Sequence, residues 1–162
     1  MAQSVAPLPT VYKAFFLYIE PFATAVGAYY AWFQQDEYMR LTYPTLSNVS
    51  TRESIVLLQL ANLYFVFAFN EALVLRATND LRVWRTFLLG LLIADFGHIY
   101  SVNALGWAFY YRFWDWNSIH WGNLGFVYVG ASMRIAFLLG LGLRAASVGS
   151  GSAGRKKVSS RR

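Results

Sequence analysis

WRTFLLGLLIADFGHIYSVNAL, residues 84–105, decides how this chain is read. As an α-helix rising about 1.5 Å per residue, it is long enough to cross a hydrocarbon layer roughly 30 Å thick. Its middle holds Asp95 and His98, three positions apart and within about 60° of each other on one helix face. A carboxyl group at that depth costs roughly 2.5–3.5 kcal/mol unless it faces protein, water or a partner. The stretch therefore predicts a membrane helix whose acid and imidazole point into an interior.

Three more apolar runs of similar length flank it. The predicted spans are residues 12–33, 54–75, 84–105 and 121–143, between a short tail (1–11) and a Gly/Ser-rich, basic tail (144–162) expected to be disordered. A chain that is 57% hydrophobic and only 14% charged is too apolar for an ordinary soluble domain. The expected fold class is all-α: one domain, an integral membrane four-transmembrane-helix bundle. No cleavable signal peptide is expected, because the first apolar run lacks a basic leader.

Basic residues set the orientation. Lys13, Arg76, Arg82, Arg85, Arg144 and five residues of the final tail fall on one side; Arg40, Arg52 and Arg112 fall on the other. That bias predicts both termini in the cytosol. Asn48-Val49-Ser50 matches a glycosylation sequon and falls on the opposite side. Trp107 to Trp116, dense in aromatic residues, predicts a segment at headgroup level or folded over the bundle mouth. The net charge of +6 is concentrated in the tail and beside span ends, which points to anionic lipid rather than nucleic acid.

Zero cysteines exclude disulfides, thiolate metal sites and thiol catalysis. With only two histidines, no metal site is expected, and no motif for another cofactor is present. The oligomeric state is left open.

The chemistry-bearing residues lie inside the spans. Glu20 precedes Pro21, so a kink is expected there, with Glu20 bonding to freed backbone groups as one reading. Glu20, Thr24, Gly27 and Ala31 follow 4-3-4 spacing and predict an inward small-residue face. Span two carries Gln59, Asn62, Asn70 and Glu71, spread over half its circumference, which predicts contacts with two helices or a polar cavity. Span three offers Gly90/Ala94 and Gly97/Ser101 as close-packing pairs. In span four, Asn123, Val127, Gly130 and Arg134 share a face.

Asp95, His98, Glu71 and Glu20 are the candidate catalytic residues. Arg134, Asn123, Asn70, Asn62, Gln59 and Trp121 are candidate ligand contacts. One arginine cannot neutralise three acids, so at least one acid is expected to be neutral or water-exposed, holding a proton for delivery. The competing readings are a structural ion pair that ties helices together, a proton or ion pathway, a non-enzymatic lipid-binding protein, and a helix-packing scaffold.

Tyr18-Ile19-Glu20-Pro21, Asn70-Glu71-Ala72-Leu73, Asp80-Leu81-Arg82-Val83-Trp84, Asp95-Phe96-Gly97-His98 and Trp121-Gly122-Asn123 through Arg134 resemble an uncharacterised family of small fungal integral membrane proteins, a domain of unknown function. The resemblance covers roughly residues 12–143 and implies the four-helix architecture and a fungal source, with no activity attached. At the level of architecture the chain is similar to emopamil-binding-type sterol isomerases and to fungal membrane terpene cyclases. Both act on isoprenoid or polycyclic lipids by proton chemistry. That likeness implies an apolar small-molecule substrate, lipid-phase acid–base isomerisation or cyclisation, and residence in the endoplasmic reticulum.

Overall fold

The computed structural model describes residues 8–44 and 48–143. Among them every regular element is helical. The predicted disordered tail (144–162) and most of the N-terminal tail lie outside the described residues.

The first predicted span is one continuous helical run: α1 (Thr10–Ala14), a π turn (Phe15–Ile19) and α2 (Glu20–Phe33). The expected kink takes the form of that π turn, placed just before Pro21. Pro21 cannot donate to the carbonyl four residues back, that of Leu17. Arg76 fills the vacancy, donating to Leu17 O at 2.7 Å, so Glu20 is released from the backbone role considered for it.

Next comes α3 (Gln35–Thr42), in the connection between the first two predicted spans. α4 (Thr51–Ala77) starts at a capping box in which the Ser50 hydroxyl accepts from Glu53 N and Glu53 accepts from Ser50 N. α5 (Leu81–Ser101) is capped by Asp80, which accepts from Arg82 N at 2.8 Å. Short 3₁₀ turns carry the aromatic connection. The chain then re-enters through α6 (Ser118–His120), a second π turn (Trp121–Gly125) and α7 (Phe126–Leu138). By length and composition two helices are able to cross a membrane, α4 and the run Leu81–Leu105.

α2 packs along α4, and α5 along α7, while α4 and α5 touch far less. At one end, Tyr12 donates to Leu141 O at 2.8 Å, which brings α1 beside the end of α7. That end is plugged by a cluster including Phe16, Leu75, Trp84, Leu88 and Phe137, all essentially inaccessible. Phe16 meets Trp84 and Phe137 edge-on, the geometry aromatic quadrupoles favour. At the other end, Asn117 donates to Leu41 O at 2.7 Å and His120 approaches Thr42 O, closing the aromatic connection over α3. Ala31, Tyr38, Leu57 and Ala61 form a smaller core there.

The small-residue face of α2 lies inward as expected: Ala31 is fully buried, and a Cβ on Gly27 would meet Tyr64 at 3.6 Å. The pairs on α5 do not pack. Nothing lies within 4 Å of a Cβ built on Gly90 or Gly97, because α5 turns Trp84, Leu88 and Leu92 inward instead.

Candidate functional site

Each of four helices contributes one charged side chain to a common layer above the aromatic plug. Arg134 of α7, only 3% exposed, is its hub. Its NH1 donates to Asp95 Oδ2 of α5 at 2.6 Å, and its NH2 donates to Glu20 Oε1 of α2. The guanidinium lies 5.9 Å from the centroid of the Phe16 ring, so the plug is the floor of the charged layer. Gly130, one turn before Arg134, makes room for it: a Cβ there would stand 2.8 Å from Arg134 NH1 and 3.3 Å from Glu20 Oε1.

Glu71 of α4 completes the layer and has no arginine of its own. It is buried. Glu20 Oε2 and Glu71 Oε1 are both buried without a donor. Ionised carboxylates accept hydrogen bonds only, so neither acid can satisfy the other while both are charged. Charge counting agrees: Arg134 already serves Asp95 and Glu20.

A second layer sits toward the α3 end. The His98 ring lies 6.3 Å from that of Tyr64. The Tyr64 and Tyr38 hydroxyls are 3.4 Å apart, and Asn123 Nδ2 reaches Tyr38 Oη at 3.5 Å. Both layers border one cavity of about 980 Å³, which Glu20, Glu71, Asp95, His98, Arg134 and Asn123 all line. Trp121 stands at its rim, half-exposed and edge-on to Trp116. Aromatic side chains, among them Tyr30, Tyr64, Phe67 and Phe126, supply much of the wall.

Seven of the ten residues singled out from the sequence thus meet at one cavity. Gln59, Asn62 and Asn70 do not: all three are exposed and none lines it. The reason is angular. The inward seam of α4 runs Leu57, Ala61, Tyr64, Ala68, Glu71 and Leu75, and at 100° per residue the three amides fall on other faces. Asp95 and His98 also diverge, Asp95 toward Arg134 and His98 toward Tyr64. Tyr38 and Tyr64 went unselected. Tyr64 had a signal, standing seven residues before Glu71 and hence on its face; Tyr38 belongs to the helix the sequence reading missed.

A buried ionic layer and an aromatic-walled cavity, inside a helical chain with two helices apolar enough to cross a membrane, define the class: an all-α protein of membrane-helix character. Residues 5–144 match the model of a family described as a domain of unknown function, DUF7704, and the chain belongs to that family. No curated protein and no solved structure matches it.

Proposed function

We propose that this is a four-span integral membrane protein of fungal endoplasmic reticulum, with both termini cytosolic, that performs acid–base isomerisation or cyclisation on an isoprenoid or sterol-like lipid. Support for the spans comes from what the helices expose. Phe22 and Leu139 are each 73% exposed and Ile93 66%, an apolar surface suited to acyl chains. The runs Thr10–Phe33 and Ser118–Leu138 are interrupted only in hydrogen-bond register by their π turns, so each is about 30 Å or more in length.

The observation that carries the chemistry is the buried Glu71 Oε1, which has no donor, in the layer of an arginine already shared by two other acids. Asp95 and Glu20 both pair with Arg134, so among the candidate acids Glu71 takes the role of proton donor. Glu71 protonates an alkene carbon of the bound lipid, and the electron-rich faces of Tyr64, Phe67 and Phe126 stabilise the resulting carbocation. His98, on the cavity's other layer, removes a proton from the neighbouring carbon, so the double bond moves; that proton then returns from His98 to Glu71, and none is consumed. Arg134 holds Asp95 and Glu20 in place and keeps the layer's charge low. The rival lipid-binding reading uses the same cavity without turnover.

Membranes containing the protein, supplied with unsaturated isoprenoid and sterol lipids in D2O, test this. Isomerised, deuterium-labelled product is expected by mass spectrometry, and Glu71→Gln is expected to abolish it while the protein still folds. Lipid retained by the purified protein with no deuterium incorporation would leave the binding reading instead.

A further inference from the structure

The three displaced amides of α4 form a pattern of their own. Gln59, Asn62, Val66, Asn70 and Leu73 recur at 3-4-4-3 spacing, and at 100° per residue they centre about 180° from the buried seam. All five are exposed. α4 thus carries its three amides on the side turned away from its own bundle, where a helix facing acyl chains would be apolar. Taking α4 as a membrane span, as the proposed function does, its midpoint falls at Tyr64. Gln59, Asn62 and Asn70 then lie within about 10 Å of that midpoint along the axis, inside the hydrocarbon. Acyl chains offer an amide neither donor nor acceptor, so three amides on one lipid-facing stripe call for a protein partner.

We propose that this face of α4 is the contact between two copies of the chain. The stripe is uncharged, so it selects no charged partner. A side-chain amide carries both donors and an acceptor, so the same residue brought opposite itself by a two-fold axis satisfies both. Val66, between the amides, is slim enough to let two helices approach. Glu71 lies on the buried seam of α4, away from this stripe.

The absence of cysteine makes single-cysteine cross-linking unambiguous. The full chain is first shown to resist alkaline carbonate extraction from membranes; its release would remove the membrane reading and this proposal together. Asn62→Cys and Val66→Cys, treated in membranes with a short bis-maleimide, are then expected to give a product of twice the chain mass. Ile93→Cys, exposed on α5, should give at least tenfold less. The triple variant Gln59→Leu, Asn62→Leu, Asn70→Leu should run as a monomer in nanodiscs. Cross-linking at positions 62 and 66 no greater than at 93 overturns the proposal, as does an adduct with a different protein, or a triple variant that stays dimeric. Should the triple variant fail to fold, the cysteine yields decide alone.

Discussion

At the scale of single residues the decisive one is Arg134. Its guanidinium joins α7 to α2 and α5 through Glu20 and Asp95, deep enough that little water competes. Removing one member of a buried ionic group leaves the others uncompensated, at a cost of roughly 3–5 kcal/mol. Arg134→Leu should therefore lower the melting temperature of the detergent-solubilised protein sharply. Asp95→Asn should cost less, since Arg134 keeps Glu20. Equal losses from both substitutions would contradict the shared-hub arrangement. Gly130→Ala tests the same packing from the other side: its methyl group meets a guanidinium already pinned by two carboxylates, so a drop in melting temperature is expected where an exposed helical Gly→Ala would raise it. The convergence of Glu20, Glu71, Asp95 and Arg134 was legible in the sequence because ionisable groups inside apolar spans have few acceptable places to go. Which acid meets the arginine was not, because that depends on helix rotation and separation, which no single chain segment encodes.

Helices and their ends form the next scale. α3 escaped the sequence reading because eight polar-rich residues show too little periodicity to separate a helix from a loop. Tertiary contacts hold it: Tyr38 inserts into the core below, and its last turns meet the incoming aromatic connection. Within α3, Arg40 grips Glu37 with two hydrogen bonds of 2.7 and 2.8 Å. Those bonds hold the Glu37 carboxyl below its ordinary pKa. A depressed carboxylate pKa contributes stability that is complete above the unfolded value and disappears as pH falls through the folded one. Amide exchange in α3, corrected for intrinsic rates, should therefore rise as the pH is taken down through the acid range, and Glu37→Gln should remove that dependence. The π turn before Pro21 makes a second prediction. Arg76→Met withdraws the donor from Leu17 O, a charge-assisted bond worth about 1.5–3 kcal/mol, and the loss should appear as a lower melting temperature and faster exchange across Phe15–Ile19. The kink was foreseeable from Pro21 alone. Its partner was not, since Arg76 lies on another helix.

The whole molecule is two helix pairs, α2 with α4 and α5 with α7, plugged by aromatic residues at one end, closed by α3 and the aromatic connection at the other, and hollow between. Four apolar runs separated by connections announced the helices. The π turns, the outward amides of α4 and the idle glycines of α5 were hidden, because composition says how apolar a helix is and not which side meets its neighbours. Lys13, Arg76, Arg82 and Arg85 gather near the plugged end and Arg40, Arg52 and Arg112 near the other, so reporter tags at either terminus should be read out on the cytosolic side. Arg134 holds Asp95 and Glu20 from two helices, and the proposed surplus proton resides on Glu71, the third acid of the layer. Infrared spectroscopy of the purified protein at neutral pH tests it most directly. A carbonyl stretch from a protonated carboxylic acid is predicted, lost in Glu71→Gln and retained in Asp95→Asn; no such band, or one that survives Glu71→Gln, would contradict it.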